Sequence, residues 1–249
     1  MSGLRAAIAF LTRLPIRTPS GTLGAAVAFF PVVGAGVGAA AGLVAAVAVR
    51  VAPPLVAGLL AVAVDLAITG ALHLDGLADT VDGLAGGGDP ERRLEIMQDP
   101  AVGTFGAAAV VLALGLEAAW LAEIAAGSLR EGPPWLPVAV AAAAGAASRA
   151  AMVAELRRGP AAREGLGSAA IAATRWPATL VAFAVGALSA LLGLGGLVGL
   201  FGAALGGWAV ASWARRRIGG LTGDVLGAVT VVARLGFYGA AVAVGSWTW

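Results

Sequence analysis

The sequence predicts an all-α, polytopic membrane bundle of about seven transmembrane helices, within a range of six to eight. The N-terminus is expected on the cytoplasmic side, with a short interfacial helix ahead of the first span. Three observations carry this. Of 249 residues, 59% are hydrophobic and only 12% charged, with a mean hydropathy of +0.91, a membrane composition. Several apolar stretches exceed the ~18 residues needed to cross about 30 Å of hydrocarbon as a helix. The basic residues, all arginine, fall with a strong bias on one side of the implied topology. The chain reads as one membrane-embedded domain, 1–249, with polar segments at 73–103, 155–176 and 215–224.

In chain order, Leu4 to Ile16 carries Arg5 and Arg13 among apolar residues and meets Pro15 and Pro19, so it reads as a helix lying in the interface. It lacks the long apolar core and small-residue cleavage site of a signal peptide. Spans are expected over about Leu23–Val49 and Pro54–Leu72. The segment from His73 to Gly103 then holds half of the chain's 14 acidic residues and must face water or a polar cavity. Further spans follow over Thr104–Ala126, Trp135–Ala154, Pro177–Leu194, the glycine-rich Leu197–Ala214, and Val225–Val244. With the N-terminus inside, twelve arginines lie in inner segments and only Arg50 and Arg130 in outer ones. All three long polar segments thereby share the cytoplasmic side. Gly34, Gly38 and Gly42, spaced by four, put three glycines on one helix face for close packing. The overlapping G-x-G-x-G string, Gly34 to Gly38, follows no strand and is not read as a dinucleotide fingerprint.

The composition also excludes chemistry. Cysteine is absent and His73 is the single histidine, so thiol catalysis, disulfides, iron–sulfur clusters and multi-histidine metal sites are out. The pI near 10.3 accompanies a formal charge of only +2, without the polybasic face of a nucleic-acid binder. Carboxylate and arginine remain.

Asp75, Asp79 and Asp82, at i, i+4 and i+7, fall at about 0°, 40° and −20° around a helix, so three carboxylates share one face. Without a cation among them at least one carboxyl pKa must rise. A hard divalent ion, Mg²⁺ or Mn²⁺, suits such a site, and Mg²⁺ typically combines one or two carboxylates with substrate phosphates. The alternative is a solvated acidic helix face. His73 is a candidate base or ligand, or a helix-end anchor. Beyond Gly86-Gly87-Gly88, Asp89 with Pro90 starts a helix on which Arg92 and Arg93, beside Glu95, could meet phosphate or form internal ion pairs. Arg215, Arg216 and Arg217 precede a glycine-rich turn ending in Thr222-Gly223-Asp224. There, backbone N–H groups could receive phosphate and Asp224 could serve as a fourth metal ligand or a base. Asp65, Arg149 and Arg234 lie inside spans, where ionisable groups are paired or functional.

Five segments carry a resemblance. Phe10-Leu-Thr-Arg13-Leu-Pro15, HLDGLADTVDGL (73–84), ERRLEIMQDPAVGTFG (91–106), AREGLG (162–167) and GGLTGDVLGA (219–228) together resemble the adenosylcobinamide-GDP ribazoletransferases, or cobalamin synthases, in order along nearly the whole chain. The resemblance implies a multi-pass enzyme of the bacterial inner (plasma) membrane with its site facing the cytoplasm. It would join adenosylcobinamide-GDP to α-ribazole or its 5′-phosphate, giving adenosylcobalamin or its 5′-phosphate and GMP, with Mg²⁺ required. Asp75, Asp79, Asp82 and Asp224 are then the expected metal ligands, with Asp79 and Asp82 as catalytic carboxylates. Arg13, Arg92, Arg93, Glu95, Arg149, Arg163, Arg215, Arg216, Arg217 and Thr222 are the expected substrate- and phosphate-binding residues. The chain departs from the family's common pattern at Gln98 and Ala101, where cations are usual, and at Val229 to Ala233, where carboxylates often occur. The expected partners are the two substrates and the bilayer, with no nucleic acid; self-association or association with other cobalamin-assembly enzymes stays open. The rival readings are a CDP-alcohol-type phosphotransferase acting on a lipid and a cation-coupled transporter. Against the transporter, the acidic cluster is expected at one membrane face, not at the midplane.

Overall fold

A computed structural model describes residues 2–17 and 23–244. Among these the protein is helical throughout; the only strand-like contact is a single parallel bridge between Ala161 and Leu221. Pro19, the second expected stop of the N-terminal helix, lies outside the described residues. The first helix, α1 (Ser2–Leu11), ends before Pro15 and buries Ala6, Ala7 and Leu11 while Arg5 stays exposed. It is packed rather than merely adsorbed: a Cβ on Gly3 would lie 2.7 Å from the Ala25 carbonyl oxygen.

The first expected span is α2 (Leu23–Ala26), one 3₁₀ turn and α3 (Phe30–Ala48). Its glycines pack as expected, against α8 (Leu136–Arg158): a Cβ on Gly34, Gly38 or Gly42 would overlap the carbonyl of Gly145, Ala141 or Pro137. Two helices with so little side chain between them gain dispersion contacts along their whole shared length. The second span, α4 (Pro54–Thr69), has 16 residues, about 24 Å at 1.5 Å per residue, short of the hydrocarbon thickness. At Gly70, in the left-handed region with φ 65°, the chain bends by 94° into α5 (Leu72–Ala85). Gly70 suits this corner for a second reason: a Cβ there would strike the Arg13 side chain.

The acidic segment thus forms a separate helix across the end of the bundle, followed by α6 (Pro90–Ile96). Asp89 caps α6 by accepting from the Arg92 N–H at 2.9 Å. Next come α7 (Thr104–Arg130), α8, a short α9 (Leu166–Ala173), α10 (Trp176–Ala187) with a 3₁₀ extension through Leu192, α11 (Gly193–Ile218) and α12 (Gly223–Ala243). The expected fifth and sixth spans are α10 and α11. Their chain doubles back near Gly193: Gly186 lies against Ala150 and Ser189 Oγ donates to the Ala143 carbonyl at 3.1 Å, so α10 runs antiparallel to α8, whereas Gly207 lies against Ala151 and Arg215 reaches Glu155, so α11 runs parallel to it. The arginine triplet, which opens the expected polar segment 215–224, forms the last turn of α11.

Among the described residues five helical stretches are long and apolar enough to cross a membrane, or six with the bent α4–α5 pair. Their outer faces carry exposed Val111, Leu112, Leu180, Leu197 and Phe201, which water would penalise and lipid does not. The protein is an all-helical multi-pass membrane bundle.

Candidate functional site

Three polar segments converge at one end of the bundle. The N-terminal half of α5 crosses the start of α12 at small residues: a Cβ on Gly76 would lie 2.7 Å from the Asp224 carbonyl oxygen, and one on Gly227 3.3 Å from the His73 Cα. A side chain at Gly76 would not fit there and one at Gly227 would be tight; the approach brings Asp75 and Asp79 beside Asp224. The stretch after α8 is laced to the turn before α12 by Leu221 N–H to Pro160 O and Ala162 N–H to Leu221 O, both 2.9 Å. That lacing carries Arg163 to Asp224, where Nη2 donates to Oδ2 at 2.9 Å. Thr222 caps α12, accepting from the Val225 N–H at 3.2 Å, and its hydroxyl donates to Asp224 Oδ2 at 3.3 Å. Thr222 therefore aims the carboxylate.

A cavity of about 370 Å³ opens here. Asp75, Arg163 and Asp224 line its polar side, and Phe10, Phe30, Leu72, Met152, Leu156 and Leu226 its apolar side. The Phe10 and Phe30 rings stack with centroids 5.6 Å apart and planes 9° apart. Burial, together with the charges of Asp75, Asp224 and Asp82, pushes the Asp79 carboxyl from 3.8 up to about 6 against the opposing pull of Arg163. Mutual repulsion of this kind is the electrostatic signature of a cluster that favours a cation. The donor set is incomplete, however: among the described residues no three carboxylate or imidazole side chains converge tightly enough to hold a metal alone. Carboxylates that need substrate oxygens to complete the shell fit Mg²⁺ better than an ion caged by protein.

Several expected site residues are placed elsewhere. Asp82 faces α7, its two oxygens accepting from the Gly103 and Gly106 N–H groups at 2.7 and 2.8 Å. A helix N-terminus competes for a carboxylate through unpaired amides and its dipole, so Asp82 secures the α7 start instead of joining Asp75, Asp79 and Asp224. Arg93 is buried and caps α5, donating to the carbonyls of Gly83, Leu84, Gly86 and Gly88; those orphan carbonyls outweigh a phosphate role. Arg92 and Glu95 form an exposed ion pair at 2.8 Å. Arg149 is 1% exposed, beside Gly34 and hydrogen-bonded to Ser148; it does not line the cavity. Arg215 donates to Glu155 at 2.6 Å, sharing that carboxylate with Arg158. Arg13 covers the Gly70 corner, and Arg216 and Arg217 are exposed at the end of α11. Asp75, Asp79, Asp224, Arg163 and Thr222 are the expected residues that come together.

Sequence reasoning missed how the in-span charges resolve. Arg234 on α12 donates to Asp65 Oδ1 on α4 at 2.6 Å and to Glu117 Oε2 on α7 at 2.8 Å, joining three helices inside the bundle. Arg234 thus takes the paired option open to an in-span ionisable group, and Glu117, one of two acids with Glu123 in the expected span Thr104–Ala126, gave no signal as its partner. Gln98, a departure from the family pattern, lines the cavity.

Fold and site define a polytopic helical membrane protein with a carboxylate-and-arginine site at one end of the bundle, beside a largely apolar cavity. The profile of the family described as Cobalamin-5-phosphate synthase matches residues 3–242, and the chain belongs to that family. It is 43% identical over 236 residues to an adenosylcobinamide-GDP ribazoletransferase of Bradyrhizobium diazoefficiens, covering 92% of this chain and 88% of the relative. It is 41% identical to one of Halorubrum lacusprofundi, with 94% of each chain covered, and 39% identical to one of Syntrophobacter fumaroxidans, with 92% and 93% covered. No solved structure matches.

Proposed function

We propose that this protein is an adenosylcobinamide-GDP ribazoletransferase, joining adenosylcobinamide-GDP to α-ribazole or its 5′-phosphate with release of GMP. The observation that carries the reading is the meeting of Asp75, Asp79, Asp224 and Arg163 at the cavity, in a chain whose relatives bear that name over nine-tenths of its length. A lipid phosphotransferase or a transporter is not favoured by those relatives.

In the reaction a ribose hydroxyl attacks the phosphorus attached to cobinamide, and the bond to the oxygen of the departing GMP breaks. The site must therefore neutralise a diphosphate and accept one proton. Asp75, Asp79 and Asp224 are the residues that would hold Mg²⁺, with diphosphate oxygens completing the shell. Bound there, the ion would act as a Lewis acid on the phosphoryl oxygens. Arg163 offers a guanidinium 2.9 Å from Asp224, placed to exchange that carboxylate for a phosphate oxygen, to which its planar donor set is matched. The hydroxyl proton passes to one of these carboxylates. Thr222 keeps Asp224 in place, and Asp82 and Arg93 fix the two ends of the α5–α7 connection without touching substrate. The arginine-rich end, which carries the site, faces the cytoplasm of a bacterial plasma membrane by the positive-inside bias. Purified protein incubated with adenosylcobinamide-GDP and each acceptor, with and without Mg²⁺, should release GMP only when all three are present. CDP-diacylglycerol turnover, or Mg²⁺-independent release, would overturn the assignment.

A further inference from the structure

A separate cavity of about 310 Å³ opens on the outer side of the bundle, between α8, α10 and α11. Its floor is the alanines of α8 from Ala147 to Ala154, and its sides are Phe183 and Ala187 of α10 with Leu200 and Ala204 of α11. α10 and α11 each pack on α8 and on the 3₁₀ turn between them, Leu188–Leu192, but scarcely on one another. The alanine floor therefore stays uncovered. From Ala147 to Arg158 the groove follows α8 for about 16 Å at 1.5 Å per residue, close to half of a ~30 Å hydrocarbon core. Apolar walls give water no partners, and an empty groove forfeits dispersion contacts. In a bilayer the group at hand to fill it is an acyl chain.

The polar end of the groove decides which lipid. Glu155 and Arg158 line it there. Buried Glu155 accepts from Arg158 at 3.0 Å and from Arg215 at 2.6 Å, so one carboxylate serves two guanidinium groups. The Arg158 side chain is 61% exposed and has further N–H groups to offer. Arg157 lies 4.7 Å over the Trp176 ring at the start of α10, and exposed Arg175 comes immediately before that ring in the chain. The ends of α8, α10 and α11 thus set four arginines around one acid. The α10 N-terminus adds the positive end of its dipole. We infer that this groove binds an anionic phospholipid, with one acyl chain on the alanine floor and the phosphodiester held by Arg158, flanked by Arg157 and Arg175. Basic pockets between transmembrane helices suit anionic head groups. A zwitterionic head group brings its own ammonium to the arginines and gains less from them. The site goes beyond the transferase reading and does not depend on it.

The test titrates the delipidated full-length protein, in neutral detergent, with phosphatidylglycerol or phosphatidylcholine of the same acyl chains, and reads the first bound lipid by native mass spectrometry. Wild type should prefer phosphatidylglycerol. Arg158→Gln removes one cation while Arg215 still pairs with Glu155. It should weaken phosphatidylglycerol about 5-fold, the share of one arginine at a charged membrane surface, and leave phosphatidylcholine unchanged. Ala204→Phe, at an exposed position on the groove wall, should weaken both lipids about 10-fold, equivalent to expelling roughly two methylenes. Its melting temperature should match wild type, since no buried contact is disturbed. Equal affinity of wild type for the two lipids would overturn the inference, as would a preference that survives Arg158→Gln. Unchanged binding by Ala204→Phe would leave the arginines as a surface patch without a groove, and displacement of the lipid by equimolar inorganic phosphate would make them a simple anion site; either overturns it. So would a dimer that Ala204→Phe dissociates, which would assign the groove to a second copy of the chain.

Discussion

Replacing Arg234 by methionine should destabilise the bundle by about 3 kcal/mol, and the size of the loss separates two accounts of the buried cluster. Arg234 bridges Asp65 at 2.6 Å and Glu117 at 2.8 Å, with side chains 10%, 5% and 5% exposed respectively. If the bridge acted only as two interhelical hydrogen bonds, its loss would cost about 1 kcal/mol, since such bonds in membrane proteins average roughly 0.6 kcal/mol each. Removing the cation, however, leaves two carboxylates buried with no ion-pair partner, and breaking a buried pair from one side costs about 3–5 kcal/mol. Arg149 remains within electrostatic reach of Glu117, which argues for the lower end. Reversible unfolding in mixed micelles, followed by helix signal against denaturing detergent, would measure the difference. The triple variant Asp65→Leu, Glu117→Leu, Arg234→Met, which removes every charge of the bridge, should regain most of the stability. A loss below about 1 kcal/mol for Arg234→Met, or a triple variant no better than the single one, would refute the reasoning.

Asp79→Asn should lower Mg²⁺-dependent GMP release by about 100-fold or more, the scale expected when a group stabilising transition-state charge is removed, with the melting temperature maintained; near-normal turnover would remove Asp79 from the site. The folded state holds the Asp79 proton up to about pH 6 against 3.8 ordinarily, so between these values it binds more protons than the unfolded chain. Metal-free stability should therefore fall as pH rises through that window, and the same scans on Asp79→Asn should lose that slope. Gly38→Leu should abolish assembly of the bundle, because a Cβ there already overlaps the Ala141 carbonyl; recovery of monodisperse protein in detergent would contradict the packing.

The fold was legible where composition and spacing bind tightly to physics. Apolar runs of span length gave most of the long helices, the glycines at 34, 38 and 42 gave the α3–α8 face, and Asp89-Pro90 gave the start of α6. The corner at Gly70 was harder: a glycine there marks where a helix can stop, but nothing local in Ile68 to Leu72 sets a 94° bend, which depends on what packs against it, Arg13 included. The site was half legible. Helical spacing placed Asp75, Asp79 and Asp82 on one face, but it cannot say what faces that helix, and the α7 amides took Asp82. The arginines show the same limit. Residue type proposes phosphate for Arg93, Arg149 and Arg215 alike, whereas unpaired carbonyls at the α5 end, a hydroxyl on Ser148 and the carboxylate of Glu155 claim them.

The same competition sets how tightly this acidic cluster should hold a cation. Asp75 and Asp224 lie in the first turns of α5 and α12, where the helix dipole stabilises negative charge by about 0.3–1 kcal/mol each. Arg163 supplies a full positive charge to Asp224. These contributions relieve part of the repulsion, and they must be given up or shared when a divalent ion enters. The carboxylates alone should therefore bind Mg²⁺ weakly, and an arriving diphosphate does two things at once: it adds oxygen ligands and draws Arg163 off Asp224. Metal and diphosphate substrate are then expected to bind cooperatively, each tightening the other by the same factor, as linkage requires. Arg163→Ala should weaken the diphosphate substrate yet tighten Mg²⁺ in its absence, since Asp224 loses its internal counter-ion. Mg²⁺ titrations of wild type and Arg163→Ala, each with and without adenosylcobinamide-GDP, would show this; metal affinity unchanged by the substitution would mean that the Arg163–Asp224 contact does not compete with the ion.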